Sequence, residues 1–177
     1  MTSDAHVTPA AGSLALVGFM GAGKSRIGRL VSKRLGIPFV DTDEVIVARH
    51  GAIAALFAEH GEAGFRAIER AVVLDELSAA ERTARVVALG GGAVTIDEVR
   101  AALRRLPHVV WLDAPPRVLF ARTHSTTRPL ARDEDAFQAL YLARRPLYDE
   151  ASTQVVRTAG HERLSWVAEK VLAAVAA

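Results

Sequence analysis

With 177 residues, 50% of them hydrophobic and 24% charged, the chain has the size and balance of one globular domain that buries a continuous core. It has no cysteine, which excludes disulfides and thiolate metal centres, and its histidines show no zinc-ligand spacing. The net charge is only +2 and no basic stripe carries interleaved aromatics; no stretch reaches a membrane span and no signal-peptide pattern opens the chain, so a cytoplasmic protein without nucleic-acid or membrane partners is expected.

Met1 to Gly12 is small, polar and aperiodic and reads as a disordered tail, leaving 13–177 as the domain. Leu14 to Val17 is a short apolar run of the kind a buried parallel strand uses. Gly18, Gly21 and Gly23 then interrupt it, Lys24-Ser25 follow at once, and Ile27, Leu30, Val31 and Leu35 recur with helical spacing. Strand, glycine-rich turn and helix are the context in which G-x-x-x-x-G-K-[ST] is a phosphate loop rather than an ordinary turn. Glycines let successive N–H groups point inward with no Cβ in the way, and the helix N-terminus aims its own N–H groups and positive dipole end at the same anion. Lys24 can reach the β- and γ-phosphates, and the Ser25 hydroxyl can ligate Mg²⁺. Nucleotide binding follows from this stretch alone.

Gly36 to Asp41 reads as a second strand, closed by Asp41-Thr42-Asp43-Glu44, with a helical pattern through Val45, Ile46 and Val47 to Gly51. Ile53, Leu56 and Phe57 make a short amphipathic turn or two, and Gly61 to Ala80 is the longest helical pattern. Arg85 to Leu89 is a third buried strand, stopped by Gly90-Gly91-Gly92. Thr95 is placed to cap a helix from Ile96 to Leu106, with Asp97 and Glu98 in its first turn. A fourth strand spans His108 to Leu112, Pro115 and Pro116 enter a helix over Arg117 to Arg122, and Thr123 to Arg132 is an aperiodic loop. Ala136 to Tyr148 is helical with an interruption at Pro146, Gln154 to Arg157 is a fifth strand, and Leu164 to Ala177 closes the chain as an amphipathic helix. This alternation predicts a single-domain α/β P-loop kinase fold. Its five-stranded, mainly parallel sheet should carry helices on both faces and ligands at the carboxyl ends of the strands.

Several polar groups fall at those ends. Asp41 and Asp43 close the second strand, where a carboxylate can hold a Mg²⁺-bound water or accept a hydroxyl proton; Asp43 could equally cap the next helix. Gly90 to Gly92 offers a close backbone N–H for an anion or a hydroxyl, or forms a plain tight turn. Arg66 beside Phe65 is by itself an ordinary solvated arginine, and Arg144 is ambiguous. Arg128, in the aperiodic loop before Pro129, suits a lid arginine (lid about 123–134) that neutralises charge on closure. Arg82, Arg85, Arg100, Arg104 and Arg105 read as solvated faces.

The ordered set Gly18-Phe-Met-Gly-Ala-Gly-Lys-Ser25, Asp41-Thr-Asp43, Phe57…Gly61-Glu62…Phe65-Arg66…Glu69, Leu89-Gly-Gly-Gly-Ala93, Arg128-Pro-Leu130 and Arg144-Arg-Pro-Leu-Tyr148 resembles the shikimate kinase family from Leu14 to about Arg157. The resemblance implies transfer of the ATP γ-phosphoryl group to the 3-hydroxyl of shikimate, giving shikimate 3-phosphate and ADP on the route to chorismate and the aromatic amino acids. It implies Lys24 and Arg128 as stabilisers of the phosphoryl group in flight, and Ser25 as a Mg²⁺ ligand with Asp41 holding the ion directly or through water. Gly21, Ala22, Gly23, Arg26 and Arg157 join them as nucleotide contacts, with Arg122 against adenine. Asp43 is implied as the base or orienting group for the attacking hydroxyl, Arg66 and Arg144 as the grip on the shikimate carboxylate, Gly90, Gly91 and Gly92 as backbone lining, and Phe57 and Phe65 as apolar walls.

Two stretches depart from the family pattern: Pro129 to Arg144 is short, and Thr158-Ala-Gly-His161 stands where a proline-containing adenine loop is expected. A gluconate-type or nucleoside-monophosphate kinase would share the phosphate loop and sheet without needing Asp41-Thr-Asp43, Arg66 and the triple glycine. A non-catalytic nucleotide-binding module would have lost the acceptor-site residues, all of which are present. No long apolar surface stripe calls for a partner chain, so a monomer is expected.

Overall fold

The apolar run Leu14–Val17 forms the central strand β1, with every side chain at most 1% exposed. In a computed structural model, residues 12–123 and 133–176 are described; the expected tail before Gly12, and the loop residues 124–132 with Arg128, lie outside them. β1 is followed by α1 (Lys24–Leu35), β2 (Phe39–Asp41), α2 (Thr42–His50), α3 (Ile53–Arg82), β3 (Val86–Ala88), a 3-10 turn (Ala93–Thr95), α4 (Asp97–Leu103), β4 (His108–Asp113), α5 (Pro116–Thr123), α6 (Glu134–Ala151), β5 (Gln154–Arg157) and α7 (Leu164–Ala176). The strands lie in the order β2-β3-β1-β4-β5, and every pairing is parallel. All five therefore end on one edge, where the chain passes from β1 to neighbours on either side; that switch is where an open parallel sheet leaves a crevice.

Alternation along β1 explains the two layers. Ala15 and Val17 face one core with Val73 and Leu77 of α3, Val99 and Leu103 of α4, and Phe137 and Tyr148 of α6. Leu14 and Leu16 face the other, with Ile27 and Val31 of α1 and Val167 and Val171 of α7. Each such aliphatic side chain contributes about 1.5–3 kcal/mol by leaving water, which outweighs the weak local preference of a four-residue strand. Helices thus cover both faces, as the sequence pattern predicts.

Four local expectations give way to tertiary context. Thr95 does not cap α4; it sits in the 3-10 turn, its hydroxyl donates to the Gly92 carbonyl at 2.7 Å, and Ile96 occupies the cap position. Asp41, not Asp43, caps α2, accepting the N–H groups of Asp43 and Glu44 at 3.0 and 3.4 Å. Arg85 and Arg100 are not solvated: Arg85 pairs with the buried Glu76 at 3.3 Å, and Arg100 is held by the Val94 carbonyl, Asp97 and Glu150. Pro146 does not interrupt α6, which runs to Ala151; its missing N–H would have bonded Leu142, whose residue is 54% exposed and whose carbonyl water can serve. The short pattern at Ile53 and the long one from Gly61 join across a bend at Gly61, whose left-handed φ of 66° lets the chain turn. That bend lays Phe57 on Phe65, rings stacked 4.2 Å apart.

Candidate active site

A cleft of about 530 Å³ opens at the carboxyl ends of the strands, walled by the Gly21–Ile27 segment, Asp41, Asp43 and Gly91. At its phosphate end the backbone is left-handed at Gly21 (φ 81°) and Gly23 (φ 88°). A Cβ on Gly21 would come within 2.8 Å of the Leu119 carbonyl, so both conformation and space require glycine there. Gly23 caps α1 with no side chain, and the first turn of α1 holds no acidic residue. Its N–H groups and positive dipole end therefore face the cleft unopposed by any carboxylate of their own turn. Lys24 Nζ donates to the Gly18 and Phe19 carbonyls at 2.7 and 3.1 Å, which draws the ammonium back over the loop. Ala22 and Arg26 line the same wall.

The Ser25 hydroxyl donates to Asp41, whose other oxygen caps α2. This oxygen pair fits a hard divalent cation that keeps waters and shares phosphate oxygens, as Mg²⁺ does. Among the described residues there is no cluster of three or more His, Cys, Asp or Glu that could hold a metal ion.

Beyond the phosphate loop, side chains of α2, α3 and α6 gather around the triple glycine that follows β3. Arg66 Nη1 donates to Glu69 at 2.5 Å on α3, and Glu69 is 2% exposed. Burial pushes the Glu69 carboxyl up from its ordinary range; Arg66 pulls it back down, while the like charge of Asp43 adds to the rise. The triple glycine runs beneath them. A Cβ on Gly90 would come within 2.6 Å of the Asp43 carboxylate and 2.8 Å of Glu69, and one on Gly92 would overlap the Arg66 guanidinium. From α6, Arg144 reaches the Gly91 carbonyl at 3.3 Å and lies over the Phe19 ring, 5.6 Å from its centroid. Its Nε is buried with no hydrogen-bond partner among the described residues. Tyr148 donates to the same carbonyl at 2.5 Å. Gly91 in turn lies against the phosphate loop, where a Cβ would approach the Met20 nitrogen to 3.2 Å. Two guanidinium groups, a carboxylate and the phosphate loop thus meet at the triple glycine; Asp43 and Gly91 are on the cleft wall, while Arg66 and Arg144 are not part of it.

Not every candidate behaves as the residues suggest. The Gly90 N–H is already given to the Thr42 hydroxyl at 3.0 Å, so this residue lines the site by lacking a side chain, not by donating to a ligand. Phe65 is buried in a cluster with Ile46, Leu56 and Val72, with Phe57 as its outer cover at 37% exposure. Arg122 lines the far end of the cleft and bonds the Gly21 carbonyl at 3.2 Å. Arg157 is not part of the cleft wall; it is mostly exposed, 3.9 Å from Asp113, and the wall there comes from Thr158 and Glu162. Glu69 belongs to the quoted motif but has no role in the sequence reading, although its spacing of three from Arg66 on one helix is a usable signal. Glu162 carried no such signal.

A family model described as shikimate kinase matches residues 20–176. The chain belongs to the shikimate kinase family. Among curated relatives, the shikimate kinase of Symbiobacterium thermophilum is 46% identical over 147 residues, 79% of this chain and 83% of that protein. The shikimate kinase of Halorhodospira halophila is 46% identical over 164 residues, 90% of each. A solved structure of shikimate kinase from Acinetobacter baumannii in complex with shikimate superposes with a TM-score of 0.85 at 35% identity, covering 94% of this chain and 92% of that one. The family match runs from Met20 in the phosphate loop through α7, and the family uses ATP. Among the described residues no helix is long and apolar enough to cross a membrane.

Proposed function

We propose that this cleft moves the γ-phosphoryl group of ATP to the 3-hydroxyl of shikimate, with the acceptor held by Asp43, Arg66 and Arg144. One observation carries the reading: both arginines converge on the triple glycine, and that turn abuts the phosphate loop. Shikimate is a small polyol with one carboxylate, and a pair of guanidinium forks matches the carboxylate while Asp43 matches a hydroxyl. Glu69 keeps Arg66 aimed at the turn.

Phosphoryl transfer asks the protein for positioning and charge neutralisation more than covalent help. Lys24 has three N–H donors and can exchange a loop carbonyl for a γ-phosphate oxygen, while loop and α1 N–H groups hold the rest. Ser25 and, directly or through water, Asp41 would hold Mg²⁺, which draws charge from the β- and γ-phosphates. Asp43 accepts the hydrogen bond of the attacking hydroxyl and takes its proton as the new O–P bond forms and ADP leaves. Arg128 is proposed to add positive charge at the transferring group, and the domain to run from 13 to 177. The monomer is proposed as the catalytic unit.

Gly92→Ala is expected to raise the KM for shikimate about tenfold or more, because the new methyl displaces Arg66, while the KM for ATP changes little. Steady-state kinetics on the purified variant checks this. The reading as a whole is tested by ADP release from ATP with shikimate, gluconate or nucleoside monophosphates as acceptor. Shikimate alone should stimulate it; equal stimulation by gluconate, or none by shikimate, would overturn it.

A further inference from the structure

The turn between β5 and α7 closes the end of the cleft away from the acceptor pocket, presenting Thr158 and Glu162 to it. Two successive N–H groups, those of Ala159 and Gly160, donate to the two oxygens of the Glu162 carboxylate at 2.7 and 2.8 Å. Adjacent N–H groups pointing one way form a concave anion site, and here the chain fills it with its own side chain. These bonds, the Ala159 N–H foremost, hold the Glu162 carboxyl below its ordinary range, so it stays charged. Gly160 is left-handed at φ 100°, and a Cβ on it would overlap Val118 of α5, so the turn is pressed onto that helix. The Gly160 carbonyl accepts from Arg122 Nη2 at 2.7 Å while Nη1 of the same guanidinium donates to Gly21. One arginine therefore links the turn to the phosphate loop.

We propose that Glu162 is a positioning residue for the nucleotide: its carboxylate fastens the Ala159–Gly160 backbone and, through Arg122, sets the wall for the base at a fixed distance from the phosphate loop. The proposal rests on the reading that this loop seats ATP. It also explains how a turn without proline stays ordered enough to serve as that wall. Rigidity normally supplied by a ring comes instead from a carboxylate gripping two N–H groups, and a preordered wall spares the ordering entropy when the base docks.

Calorimetric titration of ADP and of inorganic tripolyphosphate in magnesium buffer, into the wild type, Glu162→Gln and Glu162→Ala, tests it. Loss of both charge-assisted bonds should weaken ADP binding about tenfold in the alanine variant, and less in the glutamine variant, which keeps one acceptor oxygen. Tripolyphosphate, which needs only the phosphate loop, should bind all three alike, and the KM for ATP should rise by a larger factor than kcat falls. ADP affinity in Glu162→Ala within about twofold of the wild type would overturn the proposal, as would an equal loss of tripolyphosphate affinity. A wild type that bound neither ligand would sink the nucleotide-site reading itself.

Discussion

Lys24→Ala is expected to lower kcat by about 10²–10³, or roughly 3–4 kcal/mol of transition-state stabilisation, with a far smaller change in the KM for shikimate. In the structure Nζ rests on the Gly18 and Phe19 carbonyls, so the side chain is already folded over the loop that would hold the phosphates. In the loose transition state negative charge spreads over the equatorial oxygens and builds on the leaving oxygen, and an ammonium beside them stabilises it more strongly there than in the bound ground state. Arg26, two residues further on in the same turn of α1, is exposed, and the α1 dipole is already in use. Single-turnover and steady-state rates on the variant measure the effect. A kcat within about threefold of the wild type would remove Lys24 from the chemistry.

Arg144→Ala should raise the KM for shikimate about 10²-fold, from roughly 2–3 kcal/mol for a charge-assisted, forked contact with a carboxylate. The KM for ATP should change little, because Arg144 approaches the cleft from α6 at the Gly91 carbonyl, on the acceptor side. Arg144→Lys should restore little of the loss, since an ammonium cannot present two parallel donors. Arg66→Ala should act on the same constant but is the less clean test. It strips Glu69, 2% exposed, of a partner 2.5 Å away, and removing one member of a buried pair costs up to about 3–5 kcal/mol, eased here because burial already favours the protonated acid. Urea unfolding of both variants separates this from binding. An unchanged shikimate KM in both would refute the carboxylate assignment.

Residues 13 to 30 were legible because everything that makes a phosphate loop there is local: an apolar run of strand length, glycines where left-handed φ is required, and a helix that begins at the lysine. The alternation of strands and helices was legible for the same reason, since short apolar runs and period-3.6 spacing are properties of neighbours along the chain, whereas the strand order β2-β3-β1-β4-β5 was not. Caps and charged side chains were not. Thr95 and Asp43 both looked like helix caps, but where the chain enters α4 and α2 is set by how β3 and β2 end, and that put Ile96 and Asp41 in those positions. Arg85 and Arg100 had the spacing of exposed residues and were drawn into ion pairs by Glu76 and Glu150 on other helices.

The residues themselves determined an α/β nucleotide-binding domain with the kinase phosphate loop, because those features need no contact beyond a few positions. Only the tertiary structure decided which cations meet which anions. Arg144 bonds Gly91 across 53 positions, Glu69 gathers under Asp43 and Arg66, and Glu162 holds the turn that Arg122 links to the loop. Charge pairing depends on distance in space and on exclusion of water, and neither quantity is encoded in the spacing of residues along a chain.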